Sequence, residues 1–93
     1  EFVVLLPHTS SRNAAWLAER LRRRIQKLTF NAGTESFAIT VSVGVASISA
    51  GETKDGSCLT NEADLALYRA KNEGRNKVMV YAAETRQPST LTM

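Results

Sequence analysis

The sequence predicts one small α/β domain in which strands and helices alternate. Its 93 residues are 43% hydrophobic, which is typical of a globular chain of single-domain size. Apolar residues form a short run or alternate with period two at three places, and recur with helical spacing at two places between them. The predicted order is therefore strand, helix, strand, helix, strand, in a domain at residues 1–82 that is followed by a flexible tail at 83–93.

The first predicted element is a continuous apolar run, Phe2 to Leu6, which Pro7 ends. A short apolar run bounded by a breaker is typical of a strand that is buried on both faces. Such a strand normally has a partner on each side. Its position at the start of the sequence leads us to expect that the chain is part of something longer.

The second element is a helix whose N-cap candidates are Thr9, Ser10 and Ser11. Its apolar residues have helical spacing and predict one stripe that faces the core: Ala14, Leu17, Ala18, Leu21, Ile25 and Leu28. Trp16 lies outside this stripe. We therefore expect it to contact either further protein or a stacking ligand.

The net charge of the chain is +3, and the excess of cations is concentrated in the same helix. Its clustered cations are Arg20, Arg22, Arg23, Arg24 and Lys27. A cluster of this kind indicates either an anionic partner, such as phosphate or nucleic acid, or a solvated helix face. Composition alone leaves both interpretations open.

The middle of the chain is predicted to be a loop at residues 31–36 followed by a strand from Phe37 to Ile48. One face of the strand is β-branched and is expected to pack on the core: Ile39, Val41, Val43 and Val45. The other face has only small residues: Thr40, Ser42, Gly44 and Ala46. Small residues permit close approach by a neighbouring backbone or by a ligand, and packing is the simpler explanation.

A polar loop at residues 50–57 precedes the second helix, which is predicted from about Asn61 to Glu73 with Asn61 as its N-cap. Gly74 is expected to end this helix in the left-handed conformation. A last short strand is predicted from Val78 to Tyr81.

Three phrases of the sequence resemble one family. The opening EFVVLLP (residues 1–7) is similar to the end of a G-G-[DE]-E-F signature and the strand that follows it. The phrase ITVSVGVA (39–46) is similar to that family's ITVSIGVA strand, and ADLALYRAKNEGRN (63–76) resembles its AD-x-ALY-x-AK-xx-GRN helix. Together they resemble the second half of a GGDEF domain.

The resemblance implies an α/β (α+β) fold of the nucleotide-cyclase-like palm type. This fold has a mostly antiparallel sheet with packed helices around a ferredoxin-like βαββαβ core, of which the chain is a part. In it, Phe2–Leu6 and Ile39–Ala46 lie on either side of a further strand. The implied activity is that of a diguanylate cyclase, in which two GTP molecules held by two facing domains condense into cyclic di-GMP and pyrophosphate. The implied cofactor is Mg²⁺ (or Mn²⁺).

The resemblance also implies roles for four residues. Lys71 and Arg75 match substrate phosphate-binding residues, although cations suit a helix C-terminus without any ligand. Glu1 matches the fourth signature letter and is expected to be catalytic and to assist metal binding, unless its position as a free terminus leaves it without fixed geometry. Arg20 matches an arginine of a product inhibitory site, or is a surface arginine. The RxxD motif of that site does not occur in this sequence.

Three functional hypotheses follow. The first is part of a diguanylate cyclase, inactive as this fragment alone, whose partners are GTP, cyclic di-GMP, a second GGDEF domain and an upstream sensor or regulatory domain. The second is a degenerate GGDEF domain that binds GTP or cyclic di-GMP without turnover. The third, an RNA- or DNA-binding domain, is disfavoured because the small-residue strand face has no aromatic residues for base stacking.

The expected location is the cytoplasm. The chain has a single cysteine, Cys58, which fits a reducing compartment. Its apolar runs are shorter than the roughly 18 residues that a membrane span requires. Any membrane anchor is expected upstream, in the parent protein.

Overall fold

The structure, a computed structural model, describes residues 1–49 and 51–82. Its elements in chain order are α1 (Ser11–Lys27), β1 (Phe30–Ala32), β2 (Glu35–Phe37), β3 (Val43–Val45), α2 (Gly56–Asn72) and β4 (Val78–Val80). Both helices contact β3 and β4, so these two strands are the centre of a small α+β unit. Within the described ranges, no helix is both long enough and apolar enough to cross a membrane.

Helix α1 begins where its capping residues predict. Ser10 is the N-cap, and its hydroxyl oxygen accepts a hydrogen bond from the backbone N–H of Asn13 at 3.1 Å. This bond satisfies one of the backbone donors that a helix N-terminus leaves unpaired. Arg24 and Lys27 lie in the last turn, where positive charge favours the negative end of the helix dipole.

The predicted core-facing stripe of α1 is only partly buried. Ala14 is buried, but Leu17 and Leu21 are 45% and 52% exposed. The expectation of one continuous buried stripe is therefore wrong. The physical reason is that α1 packs on β3 and β4, and two strands of 3 residues each do not cover a helix of 17 residues.

Residues 30–37 form a hairpin where the sequence predicts a loop at 31–36. Phe30 pairs with Phe37 and Ala32 with Glu35, which leaves a two-residue turn that begins at Gly33 with φ +66°. Positive φ at this position suits the twist of a short hairpin. The two phenylalanine rings stack with their centroids 5.7 Å apart, and this cross-strand contact stabilises the pairing.

Of the predicted strand Phe37–Ile48, only the part that forms β3 pairs with β4. The pairing is parallel, with Val43 opposite Val78, Gly44 opposite Met79 and Val45 opposite Val80. Residues 38–42 lack strand pairing in the described structure, because the neighbouring β4 is only 3 residues long. The predicted last strand is confirmed at Val78–Val80. A parallel pair requires a long connection, and α2 provides it.

Helix α2 begins at Gly56, so the predicted start at Asn61 is wrong. Asp55 is the N-cap, and its side chain accepts a hydrogen bond from the backbone N–H three residues later at 2.7 Å. Lys54 also donates to Glu62 at 2.7 Å, which ties the preceding loop to the helix. The loop prediction failed here because these polar residues, whose composition is typical of a loop, cap and extend the helix instead.

Helix α2 packs very closely on the sheet at Gly44. A Cβ atom at this position would lie within the van der Waals radii of the Ala63 carbonyl oxygen and the Leu67 nitrogen, and 2.9 Å from the Leu67 Cα. On the same helix, Ala66 and Ala70 are 2% and 0% exposed. The prediction that the small-residue face admits close approach of a backbone is confirmed at Gly44.

Residues 2–6 do not form the predicted strand. They pair with none of the described strands, and Phe2 and Leu5 are 99% and 76% exposed. An apolar run becomes a strand only where a neighbouring strand pairs with its N–H and C=O groups, and β3 and β4 pair with each other instead. The described segments 2–6 and 39–46 are not paired with each other.

A largely buried arginine ties α1 to the turn after α2. The Arg22 side chain is 14% exposed, and its NH1 group donates to the side-chain oxygens of Asn76 and Gln26, each at 2.9 Å. Its Nε and NH2 groups donate to the two carboxylate oxygens of Glu19, at 2.8 and 2.6 Å. Such two-point pairing fixes the orientation of a guanidinium. Among the clustered cations, Arg22 therefore has a structural role.

Glu19 makes the stability of this tie depend on pH. Hydrogen bonds from Arg22, and then from Arg23, lower the pKa of Glu19 from its ordinary 4.5 to about 2. A carboxyl group whose pKa is lower in the folded state contributes stability above its unfolded pKa, and this contribution is lost as the pH falls through the folded pKa. We predict that wild-type stability falls more steeply between about pH 4.5 and pH 2 than that of Glu19→Gln.

The measurement is the urea midpoint of both chains across that pH range. Glu35→Gln, the same substitution on the exposed strand β2, is the control and should keep the wild-type pH dependence. If Glu19→Gln followed the wild-type curve as well, the Glu19 carboxylate would not contribute in the way described.

Candidate functional site

The C-terminal end of α2 is a tight turn at Gly74. Glu73 is the C-cap residue, and Gly74 follows it with φ +112°. The N–H of Arg75 donates to the carbonyl oxygen of Ala70 at 2.9 Å, which is the long bond of a Schellman motif. The predicted left-handed glycine at the helix end is therefore confirmed. The turn places Arg75 directly beyond the last helical carbonyl groups.

The left-handed conformation continues past the glycine. Arg75 and Asn76 have φ values of +61° and +50°. A non-glycine residue in this region costs on the order of 1–3 kcal/mol and persists only where surrounding contacts hold it. The backbone N–H of Asn76 donates to the Ser42 hydroxyl at 3.1 Å, and its side chain bonds to Arg22 and Gln26.

A cavity of about 260 Å³ lies beside α2 and the N-terminal residue. It is lined by Glu1, Asp64, Leu67, Tyr68 and Lys71. The ammonium nitrogen of Lys71 is 3.7 Å from a carboxylate oxygen of Glu1. The Lys71 side chain is 38% exposed and that of Glu1 66% exposed, so both groups remain accessible to a ligand. The structure thus brings together two of the four predicted site residues.

Two lining residues were not predicted as site residues. Asp64 and Tyr68 precede Lys71 by seven and three positions, which places all three on one face of α2. Their helical spacing from Lys71 within the phrase ADLALYRAK is the sequence signal from which they could have been predicted. Asp64 contributes a second carboxylate to the cavity, and Tyr68, which is 64% exposed, contributes an aromatic ring and a hydroxyl.

Arg75 lies outside the lining of this cavity. Its side chain is exposed and makes no hydrogen bond or ion pair with any residue that the structure describes. The turn at Gly74 separates it from Lys71. The structure therefore places the two predicted phosphate-binding cations on either side of one helix end, with only Lys71 inside the cavity.

Arg20 and Trp16 form a second feature, on α1. The guanidinium carbon of Arg20 lies 4.8 Å from the centroid of the Trp16 ring, a cation–π contact one helical turn apart. Trp16 is 61% exposed. A planar aromatic side chain next to a guanidinium is a surface on which a base can stack and a phosphate can pair.

The cavity has the chemistry of a site for an anion together with a metal ion. In the described part of the chain, no group of three or more His, Cys, Asp or Glu side chains is arranged to hold a metal ion alone. Glu1 and Asp64 nevertheless bring two carboxylates to one cavity. Mg²⁺ is commonly bound by one or two carboxylates together with substrate phosphates. These donors fit such an ion when a phosphate ligand completes its shell.

Comparison with known proteins gives consistent results. The GGDEF family profile, described as "Diguanylate cyclase, GGDEF domain", matches residues 1–77. The response regulator PleD of Caulobacter vibrioides (strain NA1000 / CB15N) is 40% identical over 85 residues, which are 89% of this chain and 18% of PleD. The diguanylate cyclase DgcM of Escherichia coli (strain K12) is 46% identical over 79 residues, which are 85% of this chain and 18% of DgcM.

A solved structure shares the fold. The crystal structure of the GGDEF domain of DgcB from Caulobacter crescentus, in complex with c-di-GMP, matches with a TM-score of 0.73 and 31% sequence identity. The match covers 84% of this chain and 45% of the DgcB chain. The chain thus spans 18% of the length of PleD and DgcM and less than half of a solved GGDEF structure. The family profile covers most of the sequence, and we conclude that the chain belongs to the GGDEF domain family.

Proposed function

We propose that this chain is the part of a diguanylate cyclase that binds the polyphosphate of GTP. The observation that carries the proposal is the cavity that Lys71 lines together with Glu1 and Asp64, with the Lys71 ammonium 3.7 Å from the Glu1 carboxylate. A cation that neutralises phosphate and carboxylates that suit a divalent ion are both needed at a nucleotide triphosphate. Three relatives of this chain that are named as diguanylate cyclases, DgcP, VdcA and DgcM, support the same activity.

In the proposed reaction, the 3′-oxygen of one GTP forms a bond to the α-phosphorus of a second GTP. The bond between that phosphorus and the β-phosphate oxygen breaks, and pyrophosphate leaves. Repeating the step with the roles exchanged closes cyclic di-GMP. Protein groups accelerate such transfers by positioning the reactants and neutralising charge. Lys71 acts here as a point charge on the polyphosphate, and Arg75 presents a planar fork from the adjoining turn.

Glu1 has a double role in this proposal. Its carboxylate pairs with Lys71 at 3.7 Å, which holds it at the cavity. There it would help to hold Mg²⁺ (or Mn²⁺), together with Asp64 and the phosphates, and it would accept the proton of the attacking 3′-hydroxyl. The bound cation would neutralise phosphate charge and make that hydroxyl more acidic.

The proposed partners are GTP, a second GGDEF domain that holds the other GTP, an upstream regulatory domain and cyclic di-GMP. The complex of the similar DgcB domain with c-di-GMP supports the last of these. We place the protein in the cytoplasm, where GTP is available. Because the match covers 45% of the DgcB chain, the proposed catalytic unit contains more sequence than these 93 residues.

We predict that Lys71→Ala and Arg75→Ala each weaken binding of Mg²⁺–GTP to the 93-residue chain by about tenfold, which corresponds to loss of one charge-assisted contact. Isothermal titration calorimetry measures this. Arg69→Ala is the matched control, because Arg69 is an exposed cation on the same helix that pairs with Glu73. It should bind GTP as the wild type does.

Wild-type affinity in both site variants would contradict the phosphate-binding role. The same samples also test turnover, because we expect no cyclic di-GMP from this chain alone. Formation of the product above background would overturn the proposal that catalysis needs additional sequence. GTP binding by the complete protein without turnover would instead support a degenerate domain.

Arg20 is proposed to bind cyclic di-GMP as part of an inhibitory site, with Trp16 as a stacking surface beside it. Support comes from the cation–π pair at 4.8 Å and from the exposure of both side chains. Trp16 is the single tryptophan of the chain, so its fluorescence reports on this place alone.

We predict that cyclic di-GMP quenches Trp16 fluorescence. In the same titration, Arg20→Ala should lower the affinity for cyclic di-GMP by about tenfold. Arg24→Ala, one turn further along α1, is the control and should respond as the wild type does. An unchanged emission spectrum at saturating cyclic di-GMP would rule out a ligand on this surface.

A further inference from the structure

Two residues outside the site described above, Arg22 and Asn76, hold the turn that carries Arg75. Three polar groups of Asn76 make the hydrogen bonds that hold this turn. Its backbone N–H donates to Ser42 at 3.1 Å, its side-chain oxygen accepts from Arg22 at 2.9 Å, and its side-chain nitrogen donates to Gln26 at 3.1 Å. Asn76 therefore connects the turn to α1 and to the segment before β3.

Arg22 is itself fixed by Glu19. Both carboxylate oxygens of Glu19 accept from the guanidinium, and the Arg22 side chain is 14% exposed. Arg23 lies next to it and also pairs with Glu19, at 2.8 Å, but its side chain is 69% exposed and its bonded partner is Glu19 alone in the described structure. The adjacent residues Arg22 and Arg23 thus both pair with Glu19, but only Arg22 also bonds to the turn among the described residues.

The turn needs such support because its backbone is unfavourable. Arg75 and Asn76 are consecutive non-glycine residues at φ +61° and +50°. Without the bonds to Arg22 and Gln26, this segment would populate right-handed conformations as well, and the direction of the Arg75 side chain would vary. A ligand would then have to order the turn when it binds, and its affinity would fall by that cost.

We propose that Arg22 and Asn76 are positioning residues for the phosphate site at Lys71 and Arg75. Glu19 orients Arg22, Arg22 and Gln26 hold the side chain of Asn76, and Asn76 fixes the backbone on which Arg75 is presented. The inference rests on the proposed function, because it takes a polyphosphate as the ligand of that site. It predicts that α1 affects phosphate affinity although Arg22 does not touch the ligand.

The test uses the 93-residue chain and inorganic tripolyphosphate, with affinity measured by calorimetry. Arg22→Lys keeps the charge but removes the fork, and Arg23→Lys is the matched control. Asn76→Gly keeps the left-handed backbone accessible and removes the side-chain bonds that hold it there. We expect Arg22→Lys and Asn76→Gly each to weaken binding by about fivefold to tenfold. Arg22 acts on the turn through Asn76, so the two substitutions break the same set of contacts. The double variant should therefore bind tripolyphosphate no more weakly than whichever single variant has the lower affinity.

A second measurement separates failure of this inference from failure of the proposed function. The backbone amide signals of residues 75 and 76 are followed by NMR in the wild type and in all four variants without ligand. We expect Arg22→Lys to shift both signals and to speed their hydrogen exchange, whereas Arg23→Lys leaves them unchanged.

If the wild-type chain does not bind tripolyphosphate, the proposed function loses its support, and unchanged turn signals in Arg22→Lys would overturn the positioning role as well. If the wild type binds but Arg22→Lys and Asn76→Gly bind equally well, the positioning role is overturned while phosphate binding stands. Loss of stability with retained affinity would show that the network only supports the fold.

Discussion

The structure depends on one close contact, between Gly44 of β3 and the backbone of α2. Because Gly44 has no side chain, the helix backbone at Ala63 and Leu67 lies directly against the strand. The buried side chains of α2 are correspondingly small, at Ala66 and Ala70. Because α2 is rigid and is held at this point, the contact also fixes the position of its C-terminal end relative to the sheet. The position of Lys71, one turn before Gly74, follows from that constraint.

Charged residues divide into those that hold the fold and those that remain available. Arg22 and Lys54 are 14% and 16% exposed at their side chains, and each is paired with a glutamate. Lys71 lies at a cavity, Arg75 has an exposed side chain, and Arg20 lies over an exposed aromatic ring. The number of cations in the sequence is therefore larger than the number available to bind an anion at the surface. Side-chain burial distinguishes the structural cations from the candidate binding cations.

Much of the architecture was predictable because its signals are local. Ser10 as an N-cap and Gly74 as a helix stop each depend on chemistry within a few residues of sequence. The small-residue face that admits the close approach at Gly44 is likewise visible in the alternation of a single segment. Features that depend on distant partners were not predictable in this way. The run Phe2–Leu6 has strand composition, yet among the described residues no strand pairs with it. The sequence predicts the start of α2 too late, because the polar composition of Lys54 and Asp55 is typical of a loop.

The site shows the same division. Lys71, Arg75, Glu1 and Arg20 were identified through a family resemblance, and the structure places Lys71 and Glu1 together. Asp64 and Tyr68 lie on the same helical face as Lys71, so their spacing alone contained the information. The role of Arg22 was hidden, because its partner Asn76 is 54 positions away in the sequence. No pattern within α1 separates it from Arg23.

The most direct test of the central constraint is the urea unfolding of Gly44→Ala beside Gly56→Ala. A Cβ at position 44 would overlap the backbone of α2, whereas a Cβ at position 56 meets nothing within 4 Å. Overpacking of this kind costs about 1–3 kcal/mol, so Gly44→Ala should unfold at clearly lower urea while Gly56→Ala unfolds at or above the wild-type midpoint. Equal midpoints for Gly44→Ala and the wild type would show that α2 is not held against β3 at this position.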